Sequence, residues 1–221
     1  MKELYQNEYY LKHLQGSYQS AMIILNYISS FFIPSSAIDF GCGIGAWLKA
    51  AKEIYQCEIL GIDQHEFSPA TAVIRATEYI TYDLRKQIQL EKRYDIALSL
   101  EVAEHIESEY SSMFISNLCG HSDIILFSAA LPKQGGTNHV NEQPCSYWMN
   151  LFAQNNFVPL DCIRPYVWDN EKVEVWYRNN TLLYIEKDKY DFIASKIIKN
   201  PFPIDIIHPE MLERILRKRG G

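Results

Sequence analysis

The run Asp39-Phe40-Gly41-Cys42-Gly43-Ile44-Gly45 sets an acid two residues ahead of three glycines at alternate positions. Glycines so spaced let the main chain turn with positive φ and approach a bound molecule where a Cβ would intrude, and a following helix offers free N–H groups. Such a turn cradles a cofactor. A dinucleotide turn of the G-x-G-x-x-G kind, counted from Gly43, would need glycine where Leu48 stands, so the spacing D-x-G-x-G-x-G is the better fit. Two more acids, Asp63 and Asp83, end predicted strands, and a carboxylate there can accept hydrogen bonds from vicinal hydroxyls or an amino group. His105 and His139 are the two candidates for moving a proton near neutral pH. His139 lies in the glycine-containing stretch Gly135 to Glu142, which is expected to reach the edge where a substrate binds.

The elements that must position these residues follow from periodicity and turn signals. One or two amphipathic helices are expected before Pro34, on the apolar residues Leu11, Leu14, Met22, Ile24, Leu25 and Ile28. Strand 1 (37–40), a helix (45–55), strand 2 (58–62), a helical stretch (68–76), strand 3 (78–82), strand 4 (95–100), a helix (107–118) and strand 5 (123–129) then alternate. Residues 130–143 read as a loop long enough to belong to a site, and Pro144 opens a helix to about Asn155. Strands at 157–163 and 181–186 are joined by an irregular, Trp-rich connection. A short helix, a Pro201–Pro203 break and a terminal helix follow. This alternation predicts a parallel sheet with helices on both faces and ligands at the carboxyl ends of the strands. The division expected is a helical cap (1–35), a cofactor-binding domain (36–188) and a helical tail (189–221), all in one globular unit.

The D-x-G-x-G-x-G spacing resembles motif I of the class I S-adenosylmethionine-dependent methyltransferases. The stretch Ser99-Leu100-Glu101-Val102-Ala103-Glu104-His105-Ile106 is similar to the segment E-V-x-E-H-I that follows strand 4 in that family. The resemblance covers about residues 37–187. It implies a Rossmann-like, doubly wound, seven-stranded, mostly parallel α/β sheet whose last strand is antiparallel. It also implies S-adenosylmethionine as methyl donor and S-adenosylhomocysteine as product. Carried over residue by residue, it places Asp39, Gly41, Cys42, Gly43 and Gly45 at the cofactor cradle and Asp63 with Gln64 at the ribose. Asp83 and Leu84 fall at the adenine, and Leu100 and Glu101 at the methionine arm. Glu104 reads as a structural partner at a helix start. His105 and His139 stay the candidate bases; each has an alternative role, as a loop residue bonded to the backbone or as a wall of the pocket. The N-terminal Tyr9, Tyr10, Ser17 and Tyr18 are expected to close over the cofactor. Strand 4 lacks the N/D-P-P-Y of the amine- and base-methylating enzymes, which disfavours a DNA base as acceptor. A catechol-type metal site would show an Asp and then Asp-Asn near strand 5. Ser128 to Pro132 supplies none, and a site from His105, His139 and Glu142 has no motif spacing behind it, so no metal is expected.

Bulk properties set further bounds. With 221 residues, 48% of them hydrophobic, the chain can bury one α/β core with a lid or tail. A net charge of −6 argues against a general affinity for nucleic acid. From Lys189 onward seven basic residues face four acids, which reads as a solvated helix end. Five scattered cysteines without a C-x-x-C pair fit reduced packing thiols of a cytoplasmic protein, and neither a leader nor a membrane span is expected. The tail and the Trp-rich connection are the segments where a homodimer interface is expected. The leading expectation is methyl transfer to a small molecule, at oxygen in preference to nitrogen. A weak similarity of Trp176-Tyr177-Arg178-Asn179-Asn180 to small enzymes of modified sugars points to a sugar or surface-polysaccharide precursor. The alternatives are a cofactor-binding regulatory or scaffolding subunit and an N-methyltransferase of a small amine.

Overall fold

The computed structural model describes residues 2–197 and 201–217, with the backbone alone for residues 2–14. Seven strands form one sheet in the order β3-β2-β1-β4-β5-β7-β6. They are β1 (Ser36–Phe40), β2 (Glu58–Asp63), β3 (Tyr79–Thr81), β4 (Ile96–Leu100), β5 (Ile124–Ser128), β6 (Phe157–Leu160) and β7 (Leu182–Glu186). The first five run parallel, and β7 is inserted antiparallel to both β5 and β6. The doubly wound sheet with its antiparallel last strand is the predicted one.

Alternation along the strands builds a core on each face. Leu98 of β4 and Leu126 of β5 point to one side, against Ile24, Leu25 and Ile28 of α1 (Lys2–Ser29) and Leu48 of α2 (Ala46–Tyr55). Ala97 and Phe127 point to the other, against Phe114 and Leu118 of α3 (Ser111–His121) and Trp148 and Phe152 of α4 (Cys145–Gln154). The expected helices before β1 are thus a single α1, tied to α2 where Tyr55 donates to the Leu25 carbonyl at 2.8 Å. Trp148 is core, as are the five cysteines, all free and buried.

Two expectations give way. Residues 68–76 form no helix: after one turn at Ser68 the amide of Val73 donates to Ile44 of the glycine turn at 2.9 Å, and a short 3₁₀ turn follows at Ala76–Glu78. A tertiary partner for that amide outcompetes the i−4 carbonyl. The connection expected to be irregular instead holds α5 (Ile163–Val167) and α6 (Val175–Asn180). Both are too short to show a helical period. Strand 6 ends at Leu160, and α3 begins only after a 3₁₀ turn at Ser108–Tyr110.

The C-terminal segment packs onto this frame through α7 (Lys187–Ala194) and α8 (Pro209–Arg217). Arg164 is fully buried and forks onto Asp161 at 3.0 and 2.7 Å while donating to the carbonyls of Ile204 and Pro203. Lys199, Lys218 and Arg219 of the basic tail fall outside the described residues. No helix of the described residues is long and apolar enough to cross a membrane. Arg164→Ala should cost about 3–5 kcal/mol by stranding the Asp161 carboxylate. Urea unfolding checks this, and a loss under about 1 kcal/mol would show that the buried fork does not hold the tail.

Candidate functional site

The turn after β1 is left-handed at all three glycines, with φ of 85° at Gly41, 53° at Gly43 and 90° at Gly45. The Gly41 amide donates to Ile62 of β2 at 2.7 Å, which pulls the turn over the neighbouring strand. A Cβ on Gly41 would collide with Val102, and one on Gly45 would come within 2.8 Å of Ile74. Beside Gly43 the space is open. The glycines thus divide the work: two permit close packing, and one leaves room for a guest.

Two cavities meet at Gly41. One, of about 250 Å³, is bounded by Asp39, Cys42, Gly43, Trp47, Leu100 and Tyr177. The other, of about 430 Å³, takes in Asp63, Gln64, Asp83, Leu84, Glu101 and His105. Together they form one crevice along the carboxyl ends of β1, β2 and β4. Of the residues expected at the cofactor, only Gly45 lines neither cavity; it caps α2 instead. Ser17 borders the smaller cavity and meets the Tyr177 hydroxyl at 3.1 Å. Tyr18 lies outside both, bonded to Glu53 and with the Lys49 ammonium 4.1 Å from its ring centre. The side chains of Tyr9 and Tyr10 are outside the described residues.

The crevice is rich in acids. Asp39 is buried, and desolvation followed by the charge of Asp63 holds its carboxyl well above the usual range. The same burial, with Asp39 and Asp63 nearby, pushes the Cys42 thiol up. Asp63 accepts from the Gly43 amide at 2.8 Å and from the amide and ring Nδ1 of His65 at 2.9 and 2.8 Å. A carboxylate has about four acceptor sites, so capacity toward the crevice remains. Asp83 is engaged differently: Arg85 grips it with Nε at 2.9 Å and Nη2 at 3.1 Å. That fork, which residue spacing does not reveal, lowers the Asp83 carboxyl.

Glu101 sits at the end of β4 with a φ of 56°. Its backbone amide donates to the carbonyl and hydroxyl oxygens of Ser128, at 3.0 and 3.1 Å. Its carboxylate accepts from Gln134 at 2.8 Å and from Asn180 at 3.1 Å, and Asn180 also donates to Gln134 at 3.0 Å. Burial raises the Glu101 carboxyl, and the Asn180, Ser128 and Gln134 bonds offset part of that rise. Gln134 and Ser128 were not singled out from the sequence, and Asn180 was named only within the Trp176 to Asn180 run. The one available signal was the pair of amides, Asn179-Asn180, set directly before a buried strand.

The two histidines are brought together, with ring centres 4.9 Å apart and planes nearly perpendicular. His139 is held at Nδ1 by Glu142 Oε1 at 2.9 Å, and a Cβ on Gly136 would strike its ring. His105 Nδ1 lies 3.3 Å from the Asn138 carbonyl. Burial and then the neighbouring His139 lower the His105 imidazole. Glu104, expected as a structural partner, is buried beside them, 4.0 Å from His139 Nε2. Hydrogen bonds from His139 and from the amides of Gly135 and Lys133 outweigh burial at Glu142 and lower its carboxyl.

A raised Asp39 carboxyl means that burying its charge costs stability, a cost absent at acid pH and complete once pH exceeds the folded value. Asp39→Asn should therefore stabilise the ligand-free protein at neutral pH by on the order of 1 kcal/mol, or ~2–4 °C in Tm for a chain of this size. The gain should shrink as pH falls toward the ordinary carboxylate range. Calorimetric scans at pH 7.5 and pH 5 check both, and an Asn variant less stable at pH 7.5 would refute the assignment.

Several solved structures with the same architecture are methyltransferases. The magnesium protoporphyrin IX methyltransferase of Synechocystis PCC 6803, solved with S-adenosylmethionine bound, has a TM-score of 0.55 and 19% identity, covering 80% of each chain. The sugar N-methyltransferase KedS8 of a Streptoalloteichus species has a TM-score of 0.56 and 11% identity, over 78% of this chain and 87% of that one. The O-methyltransferase of a trans-AT PKS multienzyme of Brevibacillus brevis, in complex with S-adenosyl-L-homocysteine, has a TM-score of 0.53 and 16% identity, over 99% and 88%. Likenesses at these identities establish the fold. No curated protein sequence gives a significant match. The methyltransferase domain family matches residues 10–133, more than half of the chain, across the glycine turn, the acids at the strand ends and the segment after β4. The chain is a methyltransferase of the class I fold and belongs to that family.

Proposed function

We propose that the chain binds S-adenosylmethionine in the crevice and transfers its methyl group to a hydroxyl of a small molecule, leaving S-adenosylhomocysteine. The observation that carries this reading is the meeting of two cavities at Gly41, with open space at Gly43 between the buried Asp39 and the strand-end Asp63. The cavity of Asp39, Gly43 and Leu100 suits an amino-acid arm, whose ammonium would compensate the buried carboxylate. Asp63 and Gln64 suit ribose hydroxyls, and the edge near Leu84 suits the adenine. Asp83 serves there only with the charge that Arg85 leaves uncompensated. The donor supplies a methyl group already activated on a sulfonium sulfur. What remains for the protein is to align an acceptor oxygen with the S–CH3 axis, exclude water and handle one proton.

His105 and His139 handle that proton. His105 lines the larger cavity, and His139, fixed by Glu142, stands directly behind it. Glu101, anchored by Gln134 and Asn180, fixes the floor between donor and acceptor. A hydroxylated acceptor such as a sugar precursor fits a rim of histidine, Thr137 and Asn138. The solved O-methyltransferase and sugar N-methyltransferase of like fold support a small acceptor, and the second of them keeps an amine as the alternative nucleophile.

Asp63→Ala should weaken S-adenosylmethionine binding by about 1–3 kcal/mol by leaving ribose hydroxyls unpaired. Isothermal calorimetry measures it, and an unchanged affinity would remove Asp63 from the ribose site. The function itself is tested with methyl-labelled donor and a panel of sugar nucleotides, polyols and small amines. His139→Ala should lower turnover at least about 100-fold with donor affinity intact. Failure of the wild-type protein to bind donor or product would end this reading.

A further inference from the structure

Among the described residues, Glu104 is the one side chain with two buried oxygens that lack a hydrogen-bond partner. Its side chain is 1% exposed, and neither carboxylate oxygen has a hydrogen-bond partner among the described residues. Burial, and then the like charge of Glu101, holds its carboxyl well above the usual range. A buried carboxylate left in this state is costly unless something positive meets it. Its surroundings show what could. One ligand atom each from Glu104, His105 and His139 lie within 4.8 Å of one another.

The imidazoles are oriented for the same purpose. Glu142 accepts at Nδ1 of His139, so the proton sits on that nitrogen and Nε2 turns its lone pair toward Glu104, 4.0 Å away. The Asn138 carbonyl stands at Nδ1 of His105, which again leaves Nε2 free. A carboxylate holding the far nitrogen of an imidazole is the arrangement that orients histidine ligands at metal centres. At 4.0 Å, His139 Nε2 makes no hydrogen bond to Glu104. Ligand atoms about 2.0–2.2 Å from one ion lie about 3–4 Å apart, which small inward rotations of His105 and His139 reach.

We propose that Glu104, His105 and His139 bind one first-row divalent cation at the rim of the crevice. Two imidazoles and one carboxylate suit manganese through zinc, whereas magnesium and calcium prefer oxygen donors. Three protein ligands leave positions open, and His105 directs them into the cavity that Glu101 and Asp63 also line. An acceptor hydroxyl taking such a position would give up its proton to solvent near neutral pH and keep its lone pair for the methyl carbon. Nε2 of His139 would then be a ligand, and the ion would take over the handling of the acceptor's proton. The sequence offered no motif spacing for a metal because the three residues come from two segments that only the fold joins. The binding site stands on the geometry alone; its catalytic role rests on the proposed methyl transfer.

The test uses the full, untagged chain freed of metal by a chelator. Titration with Mn2+ followed by electron paramagnetic resonance should show one site per chain, displaced by Zn2+ and unaffected by millimolar Mg2+. Glu104→Gln should weaken Mn2+ binding at least about 100-fold while raising thermal stability in the metal-free state, which separates lost coordination from misfolding. No Mn2+ or Zn2+ bound by the wild-type chain, or the Gln variant binding like wild type, overturns the site. Methyl transfer that persists in chelator-treated, donor-binding protein overturns the catalytic placement and leaves the proposed function standing. Failure to bind donor with Mn2+ still bound overturns the proposed function and leaves the cation site standing.

Discussion

The site depends on β1 and β4 lying side by side and parallel, with Ile38 opposite Ala97 and Asp39 opposite Leu98. Their chains leave the same sheet edge in opposite directions, toward β2 from one and toward β5 from the other, so the edge between them cannot be covered by its own connections. Three acids of the crevice are placed by that geometry. Asp39 lies within β1, Asp63 ends the strand next to it, and Glu101 follows β4 directly. Negative charge is concentrated where it is least hydrated, which is unfavourable for the empty protein and favourable for a guest carrying positive charge.

The groups around these acids show how the tension is managed. Asp63 is calmed by backbone and histidine donors, Asp83 by an arginine fork, and Glu101 by two amides. Asp39 and Glu104 receive much less. Asp39 borders the smaller cavity, and Glu104 lies beside His105, which lines the larger one. Stability is held instead by the two faces of the sheet, where Leu98, Leu126, Phe114 and Phe127 need no polar partners.

The strands and the glycine turn were legible in the sequence because their signals are local: short apolar runs, an acid before alternate glycines, and acids where strands 2, 3 and 4 end. Boundaries were set within a few residues for the same reason. What escaped depends on contacts distant along the chain. The stretch near Ser68 has the composition of a helix start, but Ile44 claims the amide of Val73. The amides that hold Glu101 come from Gln134 and Asn180, 33 and 79 residues away. His139 could be named from its glycine-rich loop, yet its pairing with His105 and Glu142 required coordinates. The Trp-rich connection hid α5 and α6 because helices of five and six residues complete too few turns to repeat.

The attachment of the C-terminal segment to α6 bears on how the molecule comes into being. Asn179 accepts from the His208 amide, Arg178 pairs with Glu210 of α8, and the next residue, Asn180, is the one that grips Glu101. The wall of the crevice is thus braced by elements that follow the whole sheet in the chain. During translation the five parallel strands can pair while the ribosome is still at work. The crevice takes its final shape only after α8 has emerged, so a nascent chain would be a folded sheet well before it was a competent enzyme.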